Sequence, residues 1–318
     1  MIYTRRDIGK LALAAIPAAS LLAAKPNSKW GGVQVGINVP YSYGNNNLSA
    51  DETLNNTVQL GLSAVELRTQ PIESFLGSPA AGQAPAGGRR GAVLTPEQQA
   101  AQTALAEALK KWRLSRTTDQ FKTFRKKFED AGVAIEIMKV DGINEMEDDV
   151  VDYCFVMAKT VGAHAISCEI PLSRTKRLGA FADKHKMMVG YHGHTNITDP
   201  EAFGRPESWE TSITYAKYNG INLDIGHFVA GNSISPIEFL KKHHDRITHI
   251  HVKDRKMHNG PNVPFGEGDT PIKEVLQLMQ KEKWKFQATI EFEYPIPQGS
   301  TRMAEIAKCV EFCKNCLT

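Results

Sequence analysis

The sequence predicts a (β/α)8 barrel, or TIM barrel, on two observations. From residue 33 onward, eight short runs rich in β-branched and apolar residues alternate with stretches that have the periodicity of amphipathic helices. Charged residues and histidines cluster near the C-terminal ends of these runs, which is the end of the barrel where enzymes of this fold carry out their chemistry. A doubly wound sheet is the alternative, but no G-x-G-x-x-G motif follows the first run.

The predicted strands recur through the chain with room for a helix between most of them, as a (β/α)8 barrel requires. In chain order they are GVQVGINVP (32–40), AVELRTQ (64–70), VAIEIMKVDG (133–142), AHAISCEIP (163–171), MMVGYHGHT (187–195), GINLDIGHF (220–228), ITHIHVKD (247–254) and ATIEFEYP (288–295).

Helix signals lie between the runs. The stretch TTDQFKTFRKKFEDAG (117–132) begins with an N-cap Thr or Asp and ends at a glycine, and SPIEFLKKHHDR (235–246) is also amphipathic. Residues 71–114 are too many for one barrel connection; their first half is rich in Ala, Gly and Pro, and their second half has a helical pattern. We expect residues 30–318 to form a single barrel domain with an insertion at about 71–116, either a lid or rim on the active-site face or a surface linker.

The N-terminal residues 1–24 have the features of an export signal. A twin arginine in TRRDIGK (4–10) precedes a short apolar run, which Pro17 interrupts, and small residues follow. This run is shorter than the roughly 20 residues that a membrane-spanning helix needs, so we expect no stable membrane anchor. The motif resembles the signal of the twin-arginine pathway, although Ile8-Gly9 departs from its usual Phe-Leu, and it predicts a periplasmic protein.

The net charge excludes a strongly basic protein. The formal charge is +3, of which Arg5, Arg6, Lys10 and Asp7 contribute +2, so the remaining chain carries 3 − 2 = +1. A net charge this small does not indicate a nucleic-acid-binding protein.

Polar residues near the ends of the predicted strands are the candidates for chemistry, because a charged side chain inside a barrel strand is costly unless it is paired or bound to a metal. They are Glu66, Glu169, His192, His194, Asp224, His227, His251, Lys253 and Glu293. His249, one step deeper than His251 on the same face, is expected to be a hydrogen-bonded core histidine.

Five of these candidates follow one another at intervals close to one strand–helix unit. The separations from Glu169 through His192, Asp224 and His251 to Glu293 are 23, 32, 27 and 42 residues. Carboxylates and imidazoles that converge from consecutive strands suit a divalent ion such as Mn²⁺, Mg²⁺, Co²⁺ or Zn²⁺. Internal ion pairs that make the barrel mouth rigid are the alternative.

Three motifs stand in order in the last three runs: INLDIGHF (221–228), HIHVKD (249–254) and EFEYP (291–295). Their order resembles that of the xylose-isomerase-like superfamily of sugar isomerases and epimerases, whose members include tagatose/psicose 3-epimerases, hydroxypyruvate isomerase, inosose dehydratase and, more distantly, endonuclease IV. The resemblance implies that Asp224 and His251 bind the metal and that His227 faces the substrate. It also implies that Glu293, before Tyr294, binds the metal and moves protons.

The fifth run departs from the epimerase pattern. Where those enzymes carry a glutamate that is both ligand and base, this chain has YHGHTN (191–196), with His192 at the matching position. Either His192 is the ligand, or Glu169 at the end of the fourth run reaches across. YHGH resembles the YHNH-type subgroup of the superfamily, some members of which act on 3-keto sugars or keto-glycosides.

This site predicts a metal-dependent isomerase or epimerase acting on a sugar or keto-sugar. A divalent ion chelated by a carbonyl and a neighbouring hydroxyl stabilises the enediolate that forms when the α-proton leaves. Glu169, His192 or His194 is the candidate base, and Glu293 is the candidate for a second acid or base.

Three further residues are candidates for substrate contacts. Lys253 and His227 could hold substrate oxygens, and Glu66 could accept a sugar hydroxyl or pair with Arg68.

Other functions stay open from the sequence. A keto-sugar or 3-keto-glycoside lyase or dehydratase would use the same site, and a non-catalytic periplasmic sugar-binding barrel is an alternative of another class. A nuclease of the endonuclease IV type is disfavoured, because the charge is near zero and further metal ligands are not visible. An exported protein should meet a non-phosphorylated small-molecule sugar, and a homo-oligomer is left open.

Overall fold

Eight parallel strands close into a barrel in the computed structural model, which describes residues 25–82 and 95–318. The strands are β1 (Val33–Val39), β2 (Ala64–Arg68), β3 (Ala134–Lys139), β4 (Ala165–Cys168), β5 (Met188–His192), β6 (Asn219–Asp224), β7 (Ile247–Val252) and β8 (Gln287–Ile290). Each pairs with the next, and β8 pairs with β1. The prediction of a (β/α)8 barrel is confirmed, and every predicted run overlaps one of its strands; β6 and β8 each begin one residue before the predicted run.

Helices surround the barrel. They are α1 (Ala50–Gln59), α2 (Thr69–Phe75), α3 (Pro96–Leu114), α4 (Thr118–Asp130), α5 (Asp148–Val161), α6 (Thr175–His185), α7 (Pro206–Ser212), α8 (Ile225–Asn232), α9 (Ile237–His243), α10 (Ile272–Glu282) and α11 (Arg302–Leu317). A short strand, Lys29–Trp30, pairs antiparallel with the beginning of β1. Among the described residues, no helix is long and apolar enough to cross a membrane.

The two helices with clear sequence signals are present. Thr117 precedes α4, and its backbone N–H donates to the Gln120 side chain at 3.0 Å. Gly132, with a φ of +80°, takes the left-handed conformation that follows many helices. The second predicted helix is α9, which begins only after Pro236.

The long insertion after β2 contains α2 and α3. Thr95 caps α3 through a capping box with Gln98. Arg113 near the end of α3 donates to both carboxylate oxygens of Glu73 in α2, at 2.7 and 3.1 Å, so the two helices are joined by a bidentate ion pair. Residues 83–94 of the insertion and the predicted export signal at 1–24 lie outside the described residues.

Burial of the strands is what isolates the polar residues of the barrel. Every residue of β2, β6 and β7 is buried. Polar side chains on these strands therefore lose their contact with water, and each one needs a partner inside the barrel.

Candidate metal centre

Four side chains converge at the C-terminal end of the barrel from neighbouring strands. His192 and Asp224 are the last residues of β5 and β6, His251 is the next-to-last residue of β7, and Glu291 directly follows β8. One nitrogen or oxygen atom of each lies within 4.8 Å of those of the other three, and all four residues are buried. The strand register contributes to this arrangement, since it places Asp224 beside His251. We call these four residues the metal cluster.

Each residue of the metal cluster presents an atom that forms no hydrogen bond within the described parts of the chain. These atoms are His192 Nε2, Asp224 Oδ2, His251 Nδ1 and Glu291 Oε2. A buried polar atom without a hydrogen bond costs about 1–3 kcal/mol. An ion pair with Lys253 offsets part of this cost at the two carboxylate oxygens, but not at the two imidazole nitrogens. Two imidazole nitrogens and two carboxylate oxygens form a donor set that suits a divalent transition metal such as Mn²⁺, Co²⁺ or Zn²⁺. The residues present therefore fit the divalent ion that the sequence predicts.

Glu66 of β2 fixes the orientation of the His251 ring. Its Oε2 lies 2.5 Å from His251 Nε2, so this nitrogen donates to the carboxylate and Nδ1 faces the metal cluster. Burial opposes the charge on His251, but the carboxylates of Glu66 and Glu291 outweigh it and raise the pKa of His251 to about 10. A metal ion that binds Nδ1 would therefore displace a proton from this ring.

Glu66 has no exposed surface and contacts two histidines. The sequence suggested it for a sugar hydroxyl or for an ion pair with Arg68, which in the structure pairs with Asp141 instead. The second histidine, His249, lies 3.4 Å from the Glu66 carboxylate. Burial lowers the pKa of His249 to about 4, as expected for a neutral core histidine.

Lys253 brings a buried positive charge to the same end of the barrel. Its Nζ lies 3.1 Å from Asp224 Oδ2, 2.7 Å from Glu291 Oε2 and 2.7 Å from Glu293 Oε2. These are ion-pair contacts and not aligned hydrogen bonds, since Asp224 Oδ2 and Glu291 Oε2 have no hydrogen-bond partner among the described residues. Burial alone would lower the pKa of Lys253, but the three carboxylates raise it, so the side chain is an ammonium ion.

Glu169 follows β4 and lies next to the metal cluster but outside it. Its Oε1 is 2.6 Å from Lys139 Nζ and 3.3 Å from His192 Nδ1, and its Oε2 is 3.1 Å from His194 Nε2. Burial raises the pKa of Glu169. Lys139 and the two histidines lower it by more than burial raises it, so the net shift is strongly downward. Of the two alternatives for the fifth strand, the geometry places His192 among the four converging residues and Glu169 beside it.

Glu291 lies in the metal cluster, whereas Glu293, to which the family resemblance gives a metal-binding role, lies at the rim. The strand ends at Ile290, and the side chain of Glu291 is 5% exposed whereas that of Glu293 is 20% exposed. Asn38 Nδ2 donates to Glu291 Oε1 at 2.8 Å, and the Tyr41 hydroxyl donates to Glu293 Oε1 at 2.6 Å.

His227 lies in the first turn of α8, because β6 continues directly into this helix. Asp224 is the N-cap of α8, and its Oδ1 accepts the backbone N–H of His227 at 2.7 Å. Burial lowers the pKa of His227 well below its usual value, although Asp224 opposes this shift. The ring lies next to Lys253, with Nε2 2.9 Å from Lys253 Nζ.

Two further site residues carry a signal in the sequence. Glu291 lies two positions before Glu293 and therefore on the same face of the run, and Lys139 is a basic residue at the end of the third run. Tyr41 and Asn38 had no comparable signal, because their roles depend on how the first strand lies next to the eighth.

The fold and the metal cluster define a (β/α)8 barrel with a candidate divalent-metal site at its C-terminal end. Residues 159–316 match the family model described as xylose isomerase-like TIM barrel. This match extends from α5 to α11, and the closed barrel has the fold that the description names. No curated protein sequence matches the chain.

Three solved structures illustrate the similarity of the fold. The probable 3-DHS dehydratase AsbF from Bacillus anthracis has a TM-score of 0.58 at 12% identity, over 88% of this chain and 99% of that one. The 3-keto-D-glucoside 4-epimerase YcjR from E. coli has a TM-score of 0.57 at 10% identity, over 89% and 100%. A xylose isomerase-like TIM barrel protein from Mycobacterium smegmatis in complex with magnesium has a TM-score of 0.56 at 13% identity, over 91% and 97%. At these identities the similarity concerns the fold alone.

The position of Glu291 predicts which of the two glutamates holds a metal ion. Glu291→Gln should weaken Mn²⁺ binding at least about 100-fold, which exceeds the usual loss from an outer-shell partner, whereas Glu293→Gln should weaken it less than about tenfold. Isothermal titration calorimetry with Mn²⁺ measures both, with circular dichroism as the check on folding. Strong Mn²⁺ binding by Glu291→Gln together with lost binding by Glu293→Gln would reverse the assignment.

Proposed function

We propose that this protein is a divalent-metal-dependent isomerase or epimerase of a non-phosphorylated sugar or keto-sugar. The observation that carries the proposal is the metal cluster with a proton-transfer group on either side. Glu169 follows β4 and Glu293 follows β8, and strands four apart in a ring of eight lie across the barrel from each other. When bound, a divalent ion would polarise a sugar carbonyl and stabilise the enediolate that forms when a neighbouring proton leaves.

His194 and Glu169 form the proton-transfer pair on one side. The pKa of His194 is raised, first by its hydrogen bond to Glu169, and half of the His194 side chain is exposed to the mouth. Lys139 holds Glu169 as a carboxylate with a lowered pKa, so Glu169 is a weak base but a strong orienting partner. Because Glu169 is an acceptor, His194 Nε2 donates to it, and the lone pair of the neutral ring lies on Nδ1. We therefore assign proton removal to His194 Nδ1 and the orientation of that ring to Glu169. His192, whose Nε2 faces the metal cluster, is not the base in this scheme.

Glu293 and Tyr41 form the second group. The Tyr41 hydroxyl and Lys253 both contact the Glu293 carboxylate, so this side chain is held at the rim with both oxygens occupied. Return of the proton to the substrate from this side would give an isomer or an epimer, whereas protonation of a leaving oxygen would give elimination. A keto-sugar or 3-keto-glycoside lyase or dehydratase is therefore the second candidate, and the same pair would serve it.

The proposed reaction predicts hydrogen exchange with solvent. Purified protein loaded with Zn²⁺ and incubated in D₂O with a panel of keto-sugars and 3-keto-glycosides should introduce deuterium at one α-carbon, detected by NMR. His194→Gln should slow this exchange at least about 100-fold, the usual scale of general acid–base assistance. His164→Gln is the matched control, because His164 also contacts a glutamate, Glu136, but directly precedes β4 at the opposite end of the barrel, and it should exchange at the wild-type rate.

Two outcomes would count against the proposal. Sugar binding without deuterium incorporation across the panel would favour the non-catalytic sugar-binding barrel. Full exchange by His194→Gln would remove His194 from the mechanism and leave only the metal cluster.

We also propose that the protein acts in the periplasm, because TRRDIGK at 4–10 resembles a twin-arginine signal. Replacing Arg5 and Arg6 together by Lys should leave the precursor in the cytoplasm, as cell fractionation would show. Unchanged accumulation in the periplasm would contradict this route of export.

A further inference from the structure

Arg255 reaches from the loop after β7 to the ring of His227. Its Nη1 lies 2.7 Å from His227 Nδ1. The same guanidinium donates through Nε and Nη2 to the carbonyl oxygen of Gly260, at 3.1 and 2.6 Å. Three contacts in one plane fix the direction in which this rigid group donates.

Asp254 holds the loop that carries Arg255. Its carboxylate oxygens accept the backbone N–H groups of Gly266, Gly268 and Thr270 at 2.8, 3.0 and 3.2 Å. Asp254 is itself 1% exposed, so these bonds are protected from water. The position of the Arg255 guanidinium is therefore a property of the folded loop and not of a mobile surface side chain.

His227 has a cationic donor at each of its two ring nitrogens. Arg255 contacts Nδ1, and Lys253 Nζ lies 2.9 Å from Nε2. Neither a guanidinium nor an ammonium group can accept a hydrogen bond, and a neutral imidazole offers only one nitrogen without a proton. His227 can therefore accept from one of the two neighbours, and its other nitrogen must carry the proton.

The two donors differ in how freely they can redirect their hydrogens. The Arg255 hydrogens lie in a plane fixed by the two bonds to Gly260. The Lys253 ammonium rotates about its last bond, and its charge is already compensated by ion pairs with three carboxylate oxygens within 3.1 Å, so it does not depend on His227 as an acceptor. We propose that Arg255 is a positioning residue that holds His227 with its proton on Nε2, so that this ring presents an N–H donor to the metal cluster.

This donor has no acceptor of its own among the described residues. The oxygen of Asp224 closest to Nε2 is 3.9 Å away, which is too far for a hydrogen bond, and the neighbouring Lys253 Nζ has no lone pair. An oxygen atom of the substrate would supply the missing acceptor for this N–H group. A carbonyl or hydroxyl oxygen of a sugar can accept such a hydrogen bond. This last step rests on the proposed function, whereas the position of the ring proton does not.

NMR of the full chain tests the proton position without any substrate. Protein labelled with ¹⁵N-histidine and loaded with Zn²⁺, which is diamagnetic, should show His227 Nδ1 as a nitrogen without a proton and Nε2 as an N–H. The signal is assigned by its loss in His227→Gln. A proton on Nδ1 in the wild-type protein would overturn the proposal, whether or not Arg255→Gln folds.

Two arginine variants separate the effect of Arg255 from general loop damage. Arg255→Gln should populate the other tautomer of His227. Arg246→Gln is the matched control, since Arg246 also donates to backbone carbonyl oxygens, at 2.6 and 3.3 Å, but does not contact His227, and it should leave the His227 signal unchanged. An unchanged His227 signal in Arg255→Gln would contradict the positioning role.

A double-mutant cycle on the sugar-exchange reaction tests the role in substrate contact. Arg255→Gln should lower kcat/KM about 10- to 100-fold in the wild-type background, the usual effect of losing an outer-shell partner, and should have little further effect in His227→Gln. Equal losses in both backgrounds would show that Arg255 acts independently of His227. If no sugar exchanges hydrogen with the solvent, the proposed function is wrong. The NMR measurement of the proton position on His227 does not depend on that result.

Discussion

The need to satisfy buried charge at the mouth of a closed barrel determines how the residues of this site are arranged. Asp224 and Glu291 are buried carboxylates, each with an oxygen that no hydrogen bond satisfies in the described structure. Isolated charges in such a place are very costly, so they are retained only where compensating charge is close. Lys253 supplies one positive charge within 3.1 Å of both, and the two imidazoles of the metal cluster leave lone pairs that a divalent ion can share.

The polar residues form layers along the barrel axis, and each layer orients the next. Glu66 lies with His249 and the Nε2 side of His251 at full burial. The metal cluster follows, and the partly exposed pairs of Glu169 with His194 and of Glu293 with Tyr41 lie at the rim. The strands hold the residues of the lower layers, and the segments just beyond the strands hold those of the rim. Because the rim residues are partly exposed, water and a substrate can reach the groups that are assigned to proton transfer.

The sequence was sufficient for the barrel and for most of the residues that meet at its mouth. Short apolar runs bounded by helix signals predict the strands. Polar residues at the ends of such runs indicate a site, because burying them is costly and packing alone would favour apolar residues. The choice between Glu291 and Glu293 could not be made in this way, because both lie on one face and the outcome depends on β8 ending at Ile290. Arg255 was also beyond sequence reasoning, since its contact with His227 depends on a loop folded around Asp254.

The central claim is that the metal cluster binds one divalent ion. Anomalous diffraction from crystals of the full chain soaked in Mn²⁺ tests this directly, because it locates the ion without reference to activity. The account predicts a single strong peak between His192 Nε2, Asp224 Oδ2, His251 Nδ1 and Glu291 Oε2, with Glu169 and Glu293 outside the coordination shell. A peak coordinated by Glu169 and His194, or no peak at any Mn²⁺ concentration that the crystals tolerate, would contradict it.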